Sequence, residues 1–323
     1  MASTLGGIDA ADLQYVLNTV PLTTYVKAYV SRRDMIDMLG GFKPGPARLM
    51  PKFKYSNNSS AIDFAEGAAD PSISITARRR IEFKYARYHA AFGVDGLQAA
   101  VAARGGVEDL TDLVMEEAAG AIEDLFDQIN ADILGSVSDN EIKGIQYHIA
   151  DSGNYAEEAI DRSSATWLAS YVADNSSVKR ALTKELLEAM QVVYFKTRAA
   201  RPNAIWTGIE QFQKYENLFE DKKRITAKIG ELQLETLTWD GIPIVPVPNY
   251  DANRMDFVQT QDWTLYYLPQ VVQKPGSTSF MEGPFRVEYK PQSYDESKYV
   301  VYFYPQLICT NPYKQLALDD LED

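Results

Sequence analysis

The clearest pattern of apolar and polar positions in the chain lies between Val107 and Ser136. Apolar residues recur there at intervals of three and four, the spacing of one face of an α-helix, for about seven turns. Gly105 and Gly106 precede the segment, and Gly135 stands at its end. The pattern predicts one long helix over the whole segment. Its apolar face comprises Leu110, Leu113, Val114, Ala118, Ala121, Ile122, Leu125, Phe126, Ile129 and Ile133.

A second pattern, the alternation of apolar and charged side chains, ends near Tyr88. Ile81, Phe83 and Tyr85 alternate with charged residues, as is typical of a half-buried strand. We expect an outgoing strand over residues 47–55, a polar tip at 56–60 and a return strand over 72–88. Since an isolated two-stranded ribbon is marginally stable in water, this ribbon needs a surface to lie on.

The remaining segments predict a mixture of short helices and strands, which is an α+β pattern. We expect a short helix around Asp9–Thr19 and a helix over Thr183–Ala199 with Thr183 as its N-cap. The acidic residues 319–323 should form a loose tail. The other predicted elements are a helix at 208–218 and strands at 142–149, 204–206, 234–237, 242–247, 255–259, 264–268, 285–290 and 298–309.

Charge is distributed unevenly along a chain whose net charge is −13. Between Arg104 and Lys143 there are eleven acidic residues and no Lys or Arg, so no ion pair can form within the long helix. Between Lys43 and Arg87 there are nine basic residues and four acidic ones, so the ribbon segment carries +5. The acidic run is either a solvated face or the complement of a basic surface on another segment or chain.

The sequence lacks the residue patterns of the common catalytic and metal sites. His89 and His148 have no second ligand at metal-binding spacing, so both are interpreted as structural. Glu116–Glu117 and Glu157–Glu158 are interpreted as solvated neighbours on helices. The nucleophile, phosphate-loop and dinucleotide motifs are missing. Cys309, the single cysteine, lies in an apolar stretch and is expected to be buried. We therefore predict a protein that is not an enzyme and has no metal or cofactor.

The net charge also argues against free duplex DNA or an anionic membrane as a tightly bound target, because both require a basic surface. The N-terminus lacks a secretory signal, and no apolar run reaches transmembrane length, so synthesis in the cytoplasm is expected. Arg78, Arg79 and Arg80 lie in an alternating strand with few aromatic neighbours. This arrangement favours contact with a partner protein over readout of nucleic acid.

The order of these parts resembles the major capsid proteins of tailed bacteriophages, which have the Hong Kong 97-type fold. An arm, a long two-stranded loop and a long acidic helix follow one another, and the resemblance continues through short motifs along nearly the whole chain. These motifs are Gly144–Ile145, Ile149–Asp151, Ile160–Ser163 with Trp167, Arg201–Ile205, Gly241–Val245 and Gln306–Pro312.

The resemblance implies an α+β Hong Kong 97-type capsid fold with five parts. Residues 1–41 would be the N-terminal arm and residues 42–88 the extended loop. Residues 89–159 and 285–310 would form a peripheral domain with residues 107–136 as its spine helix. Residues 160–284 would form the axial domain, and residues 311–323 the C-terminal tail.

The resemblance also implies a function and a set of partners. The chain would assemble through pentamers and hexamers into the icosahedral head of a virion that encloses double-stranded DNA, without sequence-specific binding. The portal protein at one vertex and a decoration protein are further implied partners. Because the chain begins directly with the arm, a separate scaffolding protein is expected. No lysine–asparagine pair is assignable to covalent cross-linking of subunits.

These expectations lead to a specific interface hypothesis. Basic residues of one subunit's loop would meet acidic residues on the spine helix of its neighbour, and head-to-tail contacts of that kind can close into rings. The residues are Arg78, Arg79, Arg80 and Lys84 on the loop and Glu116, Asp124 and Asp127 on the helix.

Three alternatives carry other predictions. An encapsulin-like nanocompartment shell would share the fold and enclose an enzyme. A hydrolase would use acidic residues at strand ends of the axial domain, but the sequence has no convergent catalytic set. A tail or portal component is disfavoured by the ribbon and the single long helix.

Overall fold

The computed structural model describes residues 34–55, 77–96, 101, 104, 107–135, 141–219, 225–229, 232–273, 280–290 and 296–322, with two short strands nearer the N-terminus. Beyond Asp9, the predicted helix around Asp9–Thr19 lies outside the described residues. The α-helices are α1 (Asp34–Met38), α2 (Val107–Leu134), α3 (Ile145–His148), α4 (Lys184–Val192) and α5 (Ile209–Leu218).

The strands are short, and among the described residues they form one seven-stranded sheet, two three-stranded sheets and four two-stranded pairs, one of which is the ribbon. In chain order they are β1 (Thr4–Leu5), β2 (Ile8–Asp9), β3 (Phe42–Pro44), β4 (Lys52–Lys54), β5 (Arg78–Arg80), β6 (Tyr88–Asp95), β7 (Asn154–Tyr155), β8 (Ile160–Asp161), β9 (Tyr171–Ala173), β10 (Ala204–Thr207), β11 (Ile225–Ile229), β12 (Leu232–Trp239), β13 (Ile242–Pro246), β14 (Met255–Val258), β15 (Trp263–Tyr267), β16 (Gln270–Gln273), β17 (Phe280–Gly283), β18 (Arg286–Lys290), β19 (Glu296–Phe303), β20 (Pro305–Cys309) and β21 (Leu316–Leu318).

The long helix predicted from the apolar spacing is confirmed as α2, which is about 42 Å long at 1.5 Å per residue. Its predicted apolar face is buried wherever its side chains are described, apart from the partly buried Leu113. Ile129 and Ile133 are completely buried. Phe126 contacts the rings of Phe285 and Phe303 at centroid distances of 6.0 and 5.7 Å. This helix therefore carries one side of the largest core.

The other side of that core is an antiparallel sheet with the strand order β18–β19–β6. Alternate residues of its strands point towards α2 and are buried, among them Phe92, Val94, Tyr299 and Val301. Every second residue of these strands lies on the face towards α2, and residues three and four apart lie on one face of the helix. Both faces are apolar, so one apolar layer forms between them.

A seven-stranded mixed sheet has the order β11–β12–β13–β10–β14–β21–β9. Its central strands are buried along their whole length, and α4 and α5 contribute Leu187, Met190 and Tyr215 to the core on one of its sides. Thr183 is the N-cap of α4 as predicted, because its hydroxyl accepts a hydrogen bond from the amide of Leu186 at 3.4 Å.

The C-terminal segment is not loose, and that prediction was wrong. Strand β21 pairs with β14 on one side and with β9 on the other. Leu316, Leu318 and Leu321 are completely buried. The acidic residues that suggested a solvated tail instead flank the buried Leu321. The Asp320 carboxylate accepts hydrogen bonds from the amides of Asn175 and Ser177, each at 2.8 Å.

Two further predictions of single strands were wrong. Residues 142–149 contain the short helix α3, because Ile145, His148 and Ile149 must turn towards the same core. Residues 298–309 form two strands in different sheets, β19 beside β6 and β20 beside β15. The break falls before Pro305, which has no amide hydrogen and starts the second strand.

A buried ion pair connects the seven-stranded sheet to the segment after α3. The Arg254 guanidinium lies 2.7 Å from the Asp256 carboxylate and donates to the carbonyl oxygen of Ile149 at 2.7 Å. The Tyr250 hydroxyl donates to the same carboxylate. Burial raises the pKa of Asp256, and the cation beside it opposes that shift. A charge pair of this kind fixes the two segments relative to each other.

Candidate subunit interface

The basic ribbon is formed by the antiparallel strands β4 and β5, which are shorter than predicted. Backbone hydrogen bonds extend the pairing past the strands, from Ile81 to Pro51 at 3.2 Å and from Phe83 to Leu49 at 2.9 Å. Residues 56–76, where the predicted tip lies, are outside the described residues. The directly opposed pairs are Lys52 with Arg80, Phe53 with Arg79, and Lys54 with Arg78.

One face of the ribbon is anchored to the body by apolar contacts. Phe53, Ile81 and Phe83 are buried in a cluster that includes Tyr155, Leu168 and Ile308. The ring of Tyr155 meets Phe53 and Phe83 edge-on at centroid distances of 6.1 and 5.5 Å. These contacts explain the alternation seen in the sequence near the end of the ribbon, since Ile81 and Phe83 both face the body.

The other face carries four cations, Lys52, Lys54, Arg78 and Arg80, which we name the outer cationic face. Two of its pairs place like charges directly opposite one another, an arrangement that destabilises an isolated ribbon. All four side chains are exposed, and none of them has an ion pair with a described residue. This face is therefore complementary to an anionic surface that the described part of the chain does not supply.

Arg79 and Lys84 differ from Arg78 and Arg80, because the structure pairs them within the chain. Arg79 lies 2.6 Å from the Glu158 carboxylate, and Lys84 lies 2.6 Å from that of Glu157. These two glutamates are in the turn between β7 and β8, so the interpretation of a solvated helical pair was wrong. Sequence reasoning missed them because the contact depends on the conformation of the turn.

The carboxylates predicted to face a neighbour are exposed on α2. Glu116, Asp124 and Asp127 all point away from the apolar side of the helix. At 100° per residue they lie within an arc of about 80° and span about 17 Å along the helix. Neither Glu116 nor Asp124 has an ion pair with a described residue. The helix thus presents one acidic stripe.

A buried polar cluster around His148 and Arg162 contacts Tyr155 of the apolar anchor. The Nε2 atom of His148 lies 3.1 Å from the carbonyl oxygen of Leu307, so Nε2 carries the proton. The Nδ1 atom then accepts from the Tyr155 hydroxyl at 2.9 Å. The Arg162 guanidinium stacks on the Tyr155 ring at 4.8 Å and donates to the carbonyl oxygens of Ser152 and Tyr147.

Burial lowers the pKa of His148 to about 3, with the Arg162 charge as a second cause. The histidine is therefore neutral at neutral pH and acts as a fixed hydrogen-bonding group. Sequence reasoning assigned it a structural role but placed it in a strand. Because His148 lies in α3, its imidazole ring hydrogen-bonds both to Tyr155 of the apolar anchor and to Leu307 of strand β20.

The base of the ribbon borders a polar groove of about 780 Å³. Its described lining residues include ion-paired and aromatic side chains, among them Arg48, Glu82, Lys84 and Tyr304, but no His, Cys or Ser. Arg48 pairs with Glu82 at 2.8 Å. Within the described part of the chain, no cluster of three or more His, Cys, Asp or Glu side chains could hold a metal ion.

No helix among the described residues is long and apolar enough to span a bilayer. Comparison with curated protein sequences gives no significant match. Residues 52–303 match the family model of the SU10 major capsid protein.

Solved structures share the fold at low sequence identity. The capsid asymmetric unit of cyanophage A-1(L) is 15% identical, with a TM-score of 0.65, over 90% of this chain and 93% of that one. The SrpI encapsulin of Synechococcus elongatus PCC 7942, in its holo complex, is 13% identical, with a TM-score of 0.55, over 90% and 88%. The capsid of a native GTA particle is 10% identical, with a TM-score of 0.53, over 90% and 91%.

Proposed function

This chain belongs to the SU10 major capsid protein family, and from that premise we propose that its copies close into rings of five and six in an icosahedral phage head around double-stranded DNA. It is a structural protein of the virion capsid and assembles with copies of itself. The resemblance found in the sequence, to major capsid proteins with the Hong Kong 97-type fold, agrees with this family and with the capsid folds above.

The observation that carries the proposed assembly contact is the outer cationic face. Four exposed cations without a described anionic partner lie on the ribbon, and the acidic stripe lies on α2. A contact between two different surfaces of identical subunits is heterologous, and such contacts generate rings when the rotation closes. We place the outer cationic face of one subunit over α2 of its neighbour.

The proposed interface keeps Arg78, Arg79, Arg80 and Lys84 on the loop and Glu116, Asp124 and Asp127 on the helix, and adds Lys52 and Lys54. Arg78 and Arg80 face outward and would contact the neighbour directly. Arg79 and Lys84 would act indirectly, because they pair with the subunit's own glutamates. Each exposed pair is worth at most about 1 kcal/mol, so the stability of a shell depends on many repeats of the contact.

Charge reversal tests this interface. We expect Arg78→Glu/Arg80→Glu to lower the yield of shells, counted by negative-stain electron microscopy and sedimentation, and to abolish its dependence on salt concentration. Adding Glu116→Arg/Asp124→Arg to the same chain should restore assembly, because both surfaces are then reversed. An unchanged yield and salt dependence in the first variant would contradict the proposed interface.

The proposed contents and partners follow from the family and the charge. A net charge of −13 suits a DNA container, because a wall that bound phosphate tightly would hinder packing and release of the genome. We propose a portal protein at one vertex, a separate scaffolding protein and a decoration protein as partners, and no catalytic activity. The division into arm, extended loop, peripheral domain, axial domain and tail stays part of this proposal.

A second candidate function is that of a nanocompartment shell, which the shared fold with the SrpI encapsulin supports. The family match favours the phage capsid. Nucleic acid extracted from nuclease-treated native particles would support the capsid. An enclosed enzyme without nucleic acid would support the nanocompartment.

A further inference from the structure

We propose that Glu157 and Glu158 are positioning residues that hold the ribbon at one angle to the body of the subunit. The two glutamates lie in the turn Ala156–Ala159 between β7 and β8, which we name the acidic turn. The proposal rests on the proposed function only in its consequence for assembly, since it concerns contacts within one chain.

The acidic turn has an unusual backbone conformation. Ala156 and Ala159 have φ angles of 58° and 46°, in the left-handed region that alanine rarely adopts. The turn is closed by a hydrogen bond from the amide of Ala159 to the carbonyl oxygen of Ala156 at 3.2 Å. The amide of Ala156 donates to the Tyr147 hydroxyl at 2.5 Å. Such a conformation persists only where the surroundings fix it, and here it directs two consecutive carboxylates to the ribbon.

The acidic turn contacts the return side of the ribbon at three residues. Glu158 pairs with Arg79 and Glu157 pairs with Lys84, each at 2.6 Å. The amide of Glu157 also reaches the carbonyl oxygen of Glu82 at 3.4 Å. Arg79 lies in β5, farther from the body than the other two residues. The turn therefore fastens the ribbon at two points along its length.

The other contacts of the ribbon fix its base. The amide of Ala86 donates to the carbonyl oxygen of Pro305 at 2.9 Å, and the Gln306 side chain donates to that of Lys84 at 2.6 Å. The apolar anchor holds the inner face, but apolar contacts are not directional. The ion pairs at Arg79 and Lys84 lie at two positions along the ribbon, so they can fix its angle to the body, which apolar packing alone leaves adjustable. That angle determines the direction in which the outer cationic face points.

Exposed ion pairs contribute little to folding stability, so a positioning role can be separated from a stabilising one. The test variant is Glu157→Gln/Glu158→Gln. The matched control is Glu188→Gln/Glu322→Gln, which also removes two exposed carboxylates, one of them paired with Lys184. Thermal midpoints of all variants should agree with that of the wild type.

The angle is measured by the distance between spin labels on Lys54→Cys in β4 and Val178→Cys, both at exposed positions, in full-length chain diluted with excess unlabelled chain. The native Cys309 is buried and should not be labelled. We expect one narrow distance distribution for the wild type and the control, and a broader, shifted one for Glu157→Gln/Glu158→Gln. Exchanging the charges with Lys84→Glu/Glu157→Lys should keep the distribution narrow.

A distribution in Glu157→Gln/Glu158→Gln that is identical to that of the wild type would overturn the proposal. This failure is distinct from failure of the proposed assembly contact, which is read from the shell yield of Arg78→Glu/Arg80→Glu. If the ribbon angle changes in the first variant while shells form normally in the second, the positioning role holds and the assembly contact does not.

Discussion

Gly144 illustrates how single positions constrain this fold. It lies against the C-terminal end of α2, where a Cβ atom would be 2.7 Å from the carbonyl oxygen of Asp132, 2.9 Å from that of Ile133 and closer still to that of Gly135. These are backbone atoms, which cannot move without disturbing the helix. A glycine here lets the chain turn closely under the helix and enter α3.

We therefore expect Gly144→Ala to lower the free energy of unfolding, because the helix end or the following turn must shift. Gly120→Ala is the control, since an added Cβ in mid-helix has no neighbour within 4 Å. That substitution should stabilise the protein by about 0.5–1 kcal/mol. Urea denaturation of both variants checks the prediction, and equal effects of the two substitutions would contradict it.

His148 predicts how stability depends on pH. Its pKa is lowered to about 3 in the folded chain, against about 6.5 in the unfolded one. As pH falls below 6.5 the unfolded chain binds a proton that the folded chain does not, so stability falls. The free energy of unfolding falls by about 1.4 kcal/mol for each pH unit between these two pKa values, until the pH approaches 3. Above pH 6.5 this histidine is neutral in both states, so it contributes no pH dependence to the free energy of unfolding.

Urea denaturation between pH 5 and 7 measures this slope. We expect His148→Gln to be less stable at pH 7 and to lack the part of the slope that the histidine causes. His89→Gln, which replaces an exposed histidine, should keep the slope of the wild type. A slope that survives in His148→Gln would show that other groups cause it.

At the scale of elements, the long helix and several short apolar strands, such as β10, β13 and β14, were predictable, and the shortest elements were not. The apolar face of α2 repeats over 28 residues, so its position follows from the sequence alone. Helix α3 has four residues, too few for a period to be recognised. Strand β21 has three, and its acidic neighbours masked it. Its place between β14 and β9 depends on residues far away in the chain.

The same reasoning applies to the candidate interface. Charge counting located the basic ribbon and the acidic helix, because both signals are local. The division of the ribbon's cations between the outer cationic face and an ion-paired set depends on strand register and on the acidic turn. Neither can be derived from spacing, since the turn requires left-handed alanines at 156 and 159.

Strand β21 makes the C-terminus part of the core, so we expect Leu318→Ala to cost about 2–5 kcal/mol of stability. Glu322→Gln, at an exposed side chain in the same segment, should change stability by less than about 0.5 kcal/mol. Chemical denaturation compares the two. A loose tail would make both substitutions equally mild.

At the scale of the whole molecule, the proposed assembly explains the uneven distribution of charge along the chain. A subunit of net charge −13 carries a ribbon segment of +5. Neither the outer cationic face nor Glu116 and Asp124 of α2 have an ion pair with a described residue. In the proposed head-to-tail arrangement, each contact between identical subunits would pair these two surfaces. Because each contact is weak and repeated, assembly should be cooperative and sensitive to salt.

The most direct test of this account is a cryo-electron microscopy structure of the particles formed by the chain, produced alone and with its scaffolding partner. We predict closed shells of five- and six-membered rings in which Arg78 and Arg80 lie against Glu116, Asp124 and Asp127 of the adjacent subunit. Shells in which the outer cationic face points into solvent would contradict the proposed contact. A monodisperse monomer or dimer under all conditions would contradict the proposed assembly.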